Sequence, residues 1–257
     1  MNSKQVILVV GSGRQNIGHA VASKFKSEGW YVIGTDLQFA SEEVRMAHDE
    51  VYEGYDICNE EQVSEMFQSI KEAHGRLDAV VNSAGQNILG PITDYKLEDF
   101  MLTINTNLTS QFLVTKHYVQ KFNGNGMTKN ILAVTSDTGS FLAKTSTFAY
   151  GASKAGANAF MQAVARELDK YHEDNWNVHA FACGMVEGTP MDVRTINDLT
   201  EQRGITPEQA RGLLTGNIPK GRGLKMPEAA EWVYFLITKG EYASGNVVRV
   251  DNFQQQG

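Results

Sequence analysis

An open, doubly wound parallel β-sheet with helices on both faces is the fold this sequence predicts, and three observations predict it. Short apolar runs rich in β-branched residues recur along the chain, and most are apolar on both faces, as strands covered by two layers of helices must be. Stretches with helical apolar spacing separate them. The alternation continues from end to end without an internal repeat or a low-complexity linker, so the 257 residues read as one α/β domain, 1–257, of about seven strands.

The elements follow in order. Val6–Val10 is the first strand, and a glycine-rich turn joins it to a helix over Ile17–Ser27, with Ile17, Ala20, Val21 and Phe25 on one side. Tyr31–Gly34 is the second strand and runs out to Asp36; Val51–Tyr55 is a shorter candidate. Glu60–Ala73 is helical, with Val63, Met66, Phe67 and Ile70 on its apolar face, and Leu77–Val81 is a strand. Leu97–Phe122 reads as one long helix, Ile131–Thr135 as a strand, Thr147–Tyr171 as a second long helix and Val178–Ala182 as a strand. Residues 184–226 break the rhythm. They are polar and glycine-containing, with a short helical piece around Thr206–Leu214, and a long irregular insertion at this place is expected to be a substrate lid. Pro227–Thr238 is the last helix, since Pro followed by Glu228 suits a first turn, and Val247–Val250 is the last strand.

Composition excludes several classes of function. A formal net charge of −7 offers no basic stripe to nucleic acid. No apolar run approaches the roughly 18 residues of a membrane span. Val6–Val10 is too short for a signal sequence. The two cysteines, Cys58 and Cys183, form no paired motif, which suits a reducing cytoplasm, and no metal site is expected.

The chemistry begins at the turn Gly11-Ser-Gly-Arg-Gln-Asn-Ile-Gly18. Glycines between a strand and a helix let backbone N–H groups approach a pyrophosphate at the positive end of the helix, although a tight turn alone asks for the same residues. Asp36 follows at about the spacing where a carboxylate accepts from the ribose hydroxyls of a dinucleotide. A carboxylate there repels a 2′-phosphate and favours NAD over NADP, whereas Arg14 in the turn pulls the other way. Further on, Tyr150 and Lys154 are four residues apart in a helical pattern and so share a face. A cation beside a phenol favours phenolate, and a phenol so placed can exchange a proton with an alcohol or carbonyl oxygen. Alone, such a pair is usually packing.

Together with Asp56-Ile57, Asn82-Ser83-Ala84-Gly85, Asn107 and Ser136, these motifs resemble the short-chain dehydrogenase/reductase family over nearly the whole chain. The resemblance implies a Rossmann fold, hydride transfer between NAD(H) and a secondary alcohol or ketone, and a homotetramer packed through the helices Leu97–Phe122 and Thr147–Tyr171. Phe112, Val119, Phe160 and Val164 then face a partner, or equally fill the core. It implies Gly11, Arg14, Asn16 and Ile17 as cofactor-binding residues of the turn, Asp36 at the ribose, Asp56 and Ile57 at the adenine, and Asn82, Ala84 and Gly85 lining the cofactor. It implies Tyr150 as acid/base and Lys154 lowering its pKa and binding the nicotinamide ribose. Ser136 would hold the substrate oxygen, with Thr135 as the fallback. Asn107 would hold a relay water; Asn105 lies nearby, but Asn107 better matches the following Leu and Phe. Gly184, Val186 and Thr189 would border the nicotinamide.

The sequence departs from the family at several points. Val10 replaces the usual Thr, Gln15 is a one-residue insertion, and Asn16 replaces a glycine, a place where Asn can adopt a left-handed conformation. Cys183 replaces a Pro, Gly188 is inserted before Thr189, and Asp251-Asn252-Phe253 replaces Asp-Gly-Gly. Lys144, Gln86, Asn87, Glu187 and Arg194 are candidates for the substrate walls, and the style of 204–222 is similar to lids over polyols and sugar alcohols; a cyclic alcohol is also open. An epimerase or dehalogenase on the same scaffold, or a non-catalytic NAD-binding regulator, is the alternative.

Overall fold

The structure, a computed structural model, describes residues 4–252 except 125, 143 and 173–174. The ends of the expected domain, 1–3 and 253–257, Phe253 among them, lie outside the described residues. In chain order the elements are β1 (Val6–Val10), α1 (Ile17–Ser27), β2 (Tyr31–Asp36), α2 (Glu42–Arg45), β3 (Glu50–Glu53), α3 (Glu60–His74), β4 (Ala79–Asn82), α4 (Leu97–Ile104), a π turn (Asn105–Thr109) and α5 (Ser110–Phe122). Then come β5 (Lys129–Ser136), α6 (Phe148–Tyr171), β6 (Trp176–Cys183), β7 (Val186–Glu187), α7 (Pro190–Arg203), α8 (Pro207–Thr215), β8 (Leu224–Lys225), α9 (Met226–Lys239) and β9 (Val247–Val250).

Seven strands form one parallel sheet in the order β3-β2-β1-β4-β5-β6-β9. The order reverses between β1 and β4, the switch point at which doubly wound sheets bind ligands beyond the carboxyl ends of their strands. Strand β1 shows why both faces had to be apolar. Val6, Leu8 and Val10 enter a core with α3, α5 and α6, while Ile7 and Val9 enter a second core with α1 and α9. Phe25 anchors the second core, edge-on to Trp30 at 5.0 Å and to Tyr234 at 5.1 Å between ring centroids.

Two expectations are corrected. The helix expected over Leu97–Phe122 is interrupted by the π turn, because Asn105, Thr106 and Asn107 are weak helix formers that side-chain hydrogen bonds can hold in a wider turn. The insertion 184–226 is mostly regular. Helix α7 is capped by Thr189, whose side chain accepts from the Asp192 N–H, begins with Pro190 and stops at Gly204, which has φ +62°. Helix α8 has a full capping box between Thr206 and Gln209.

Candidate active site

Strands β1 to β6 deliver their carboxyl ends to one cavity of about 1040 Å³, at the upper end of the size of ligand pockets. Gly11 leaves β1 with φ +77°, and a Cβ there would lie 2.7 Å from the Ala84 nitrogen. At Gly18 a Cβ would lie 2.3 Å from Ser83 Oγ and 2.6 Å from the Gly11 oxygen. The turn therefore sits on the loop after β4 at a distance that only glycine permits. Asn16 is not left-handed. Its φ of −145° is extended, and it caps α1: Oδ1 accepts from the His19 N–H at 2.9 Å, and Nδ2 donates to the Gly11 oxygen at 2.9 Å. A polar side chain thus closes the turn where the family uses a glycine. Ile17 and the exposed Arg14 line the same end.

Asp36 ends β2 in the cavity wall. It accepts from the Gly13 N–H at 2.9 Å and the Leu37 N–H at 2.8 Å, which fixes the carboxylate in the cavity wall beside the glycine turn. Asp56 and Ile57 line the cavity beyond it, and the Asp56 carboxylate is partly used by the Cys58 N–H at 2.9 Å. Ala84 and Gly85 line the wall, but Asn82 does not. It is buried behind, accepting from the Ala84 N–H at 3.1 Å and donating to Ser110 Oγ at 3.2 Å, so it shapes the loop that lines the cavity.

The reacting end gathers on β5, β6 and the first turns of α6. Tyr150 and Ser136 line the cavity together, and the Ser136 hydroxyl favours the phenolate form of Tyr150. Lys154 lies with its Nζ 5.8 Å from the Tyr150 ring centroid, and it donates to the Val134 oxygen at 2.8 Å. Burial decides the charges here. It pushes the Tyr150 phenol up and brings the Lys154 ammonium down to about 8. A phenol that keeps its proton is suited to giving it to a carbonyl oxygen.

Asn107, not Asn105, faces this end. From the π turn its Oδ1 accepts from the Gln86 N–H at 2.7 Å, and its Nδ2 donates to the Gln86 oxygen at 2.8 Å and Ser153 Oγ at 2.9 Å. A Cβ on Gly85 would lie 3.5 Å from Lys154 Nζ and 3.7 Å from Asn107 Oδ1, so both border the same bare α-carbon. Asn105 accepts from its own neighbour Thr109. Thr135 lines the cavity with its hydroxyl unpartnered, but Ser136 is the hydroxyl at Tyr150.

Cys183, paired with Ser136 on the neighbouring strand, lines the cavity with Gly184, Val186 and Thr189 after it. The Cys183 thiol is pushed up to about 12 by burial, the state of a small buried residue and not of a nucleophile. Inserted Gly188 has φ +76° and donates its N–H to Asp192 Oδ2 at 2.9 Å, and Thr189 Oγ1 donates to the Val186 oxygen at 3.1 Å. Of the proposed substrate walls, Lys144, Gln86, Asn87 and Arg194 line the cavity. Glu187 does not: it turns to the Gly223 N–H at 3.0 Å and to Arg211.

Two site residues escaped the sequence reading. Asp137, directly after Ser136, is buried and lines the cavity. His48 packs so closely over Gly34 that a Cβ there would lie 2.3 Å from its ring, and its Nε2 meets Ser12 Oγ at 2.9 Å beneath the glycine turn. Neither belongs to a motif; only Gly34 inside a strand hinted at a close approach.

A family model described as short chain dehydrogenase matches residues 5–199. Among similar proteins, the sorbitol-6-phosphate 2-dehydrogenase of Escherichia coli (strain K12) is 26% identical, over 97% of this chain and 98% of that one. A 3-oxoacyl-[acyl-carrier-protein] reductase of Thermotoga maritima is 30% identical, over 96% of each. The solved structure of sorbitol-6-phosphate 2-dehydrogenase from Erwinia amylovora superposes with a TM-score of 0.87 at 24% identity, over 98% of this chain and 100% of that one, a likeness of fold. The chain belongs to the short-chain dehydrogenase family.

Proposed function

We propose that this member of the short-chain dehydrogenase family transfers a hydride reversibly between NAD(H) and a secondary alcohol or ketone, with Tyr150 as the acid/base. The observation that carries the reading is one cavity holding the glycine turn and Asp36 at one end and Ser136, Tyr150 and Lys154 at the other. The residues fit a dinucleotide: the turn has close-packed glycines, α1 points its N-terminus at the cavity, and two backbone N–H groups hold the Asp36 carboxylate beside that turn, where it would accept from a ribose. When bound, a nicotinamide cofactor supplies or accepts the hydride.

The chain's own residues do the rest. In reduction, Tyr150 gives its phenolic proton to the substrate oxygen while Ser136 hydrogen-bonds that oxygen. In oxidation the same groups act in reverse, and the tyrosine takes the alcohol proton. Lys154 stabilises the phenolate that remains, binds the nicotinamide ribose and passes the proton debt toward Asn107. Sugar alcohols and other polyols are the favoured substrates, supported by the similarity to the sorbitol-6-phosphate 2-dehydrogenase of Escherichia coli. Arg14, lining the cavity with no ion pair among the described residues, favours a second reading in which NADP(H) is used.

Titrating NADH and NADPH against tryptophan fluorescence decides the cofactor. NADH should bind at least tenfold tighter, and binding of neither would overturn the reading. Tyr150→Phe should keep NADH binding and lose about 10³-fold or more in turnover; near-normal turnover would remove the assigned acid/base.

A homotetramer in a reducing compartment belongs to the same proposal. Leu97 at 69%, Met101 at 44% and Phe112 at 46% exposed form an apolar face on α4 and α5, while Val119, Phe160 and Val164 pack at the edge of the core. A solution mass near that of one chain would reject the assembly.

A further inference from the structure

We propose that Asp137 is a positioning residue that sets which way the Ser136 hydroxyl points, so that its protonation decides whether the site presents a donor to a ketone or an acceptor to an alcohol. The inference rests on the hydride-transfer reading above. A serine Oγ has one proton and two lone pairs. Here one lone pair receives the Thr138 N–H at 3.1 Å. The proton is given to Asp137 Oδ1 at 3.1 Å. What remains is one lone pair, on the hydroxyl that lines the cavity with Tyr150. With Asp137 ionised, Ser136 has no proton left for a ketone oxygen, which can only accept.

Protonating Asp137 reverses the bond. The carboxyl O–H then donates to Ser136 Oγ, both serine lone pairs are filled, and the serine proton is free to meet a carbonyl. The carboxylate is built for this exchange. It is 1% exposed, its Oδ1 also accepts from Thr138 Oγ1 at 3.3 Å, and its Oδ2 is buried without a partner. A buried carboxylate with a bare oxygen is costly. Burial accordingly pushes its pKa up, opposed by Lys144 from the segment before α6 and by the Ser136 and Thr138 hydroxyls, and reinforced by Asp251 beyond β9. Asp251 is itself held by Arg249, with Nε 2.6 Å from Oδ2. Tyr150 and Cys183 also face Asp137, and both keep their protons, while Lys154 faces Cys183.

Two measurements test the proposal. Infrared titration of the enzyme should show a buried carboxylic C=O band that Asp137→Asn removes, with a midpoint above the ordinary 3.8. Ser136→Ala, which takes away the donor to the ionised form, should raise that midpoint; an unmoved midpoint overturns the link. With cyclohexanone and cyclohexanol as probes, the ratio of ketone KM to alcohol KM should rise about three- to tenfold as pH passes the midpoint, the worth of one hydrogen bond. In Asp137→Asn the ratio should be flat with pH. A ratio that follows pH alike in both enzymes overturns the role. No turnover with either nicotinamide cofactor would instead overturn the proposed function, and the infrared arm then decides Asp137 alone.

Discussion

The two walls of the cavity are held by different forces. The inner wall, from the glycine turn to the loop after β4, is fixed by backbone contact: Gly11 against Ala84, Gly18 against Ser83, and Asn16 tying the turn to its own helix. The outer wall, residues 184–226, is fastened by charge. Arg211 pairs with Asp192 at 3.2 Å, Arg222 with Glu228 at 2.7 Å, and Glu187 with the Gly223 N–H. Contacts that depend on shape fail when one atom is added. Ion pairs at the surface are worth little and can re-form. The difference teaches that the end proposed for the constant partner, the cofactor, is rigid, while the end proposed for the variable one can yield.

The sharpest way to break that contrast is at Gly18. Gly18→Val must displace the Gly11 backbone, so thermal denaturation should show a loss of about 3 kcal/mol together with loss of NADH binding. Wild-type stability would mean the inner wall is not close-packed.

A second test uses acid. Burial holds His48, under the turn, down at about 4, while an unfolded histidine titrates at 6.5. Between those values the unfolded chain binds the extra proton, so stability is lost as pH falls from about 6.5 toward 4, on the order of 3 kcal/mol in full. Urea midpoints at pH 7 and 4.5 should converge in His48→Gln relative to wild type. An unchanged pH slope would acquit this histidine and leave His179, held near 4 for the same reason, as the acid-sensitive group.

Asp192→Asn probes the outer wall. It weakens the hold on Gly188 and Arg211. Protease cleavage within 184–226 should quicken about fivefold, the effect of one charge-assisted hydrogen bond, with global stability little changed. A global loss instead would show that residues 184–226 are part of the core. The smallest effect belongs to Arg222→Gln. Glu228 is drawn down to about 2 by the Arg222 pair and the Lys225 N–H, so the pair is present above the ordinary carboxylate range and is lost as pH falls from there through about 2. It is exposed to solvent, and the urea midpoint at pH 7 should not move measurably.

The same contrast explains what the sequence could tell. Strands β1 and β9 and helix α1 have the bounds that pattern alone predicts, because their residues answer to burial period and local turns. Asp36, Ser136, Tyr150 and Lys154 come together because they end or begin regular elements around the switch point. Helix α7 was legible from Thr189-Pro190 and Gly204 but was masked by its polar composition. Asp137 and His48 were not legible. Their importance lies in which distant groups they meet, Lys144 and Asp251 for one and Ser12 and Gly34 for the other, and no spacing encodes that.

The π turn at Asn105–Thr109 holds one residue more than an α turn, because its hydrogen bonds reach one residue further along the chain. Deleting a single residue there would let α4 and α5 fuse into one continuous helix with their faces almost in phase, so Leu113 and Tyr118 would keep the core and Leu97 and Met101 their exposed side. The bulge that carries Asn107 to Gln86 would be lost. A one-codon loss at this point would therefore leave helix content and the apolar surface in place while emptying the position beside Lys154.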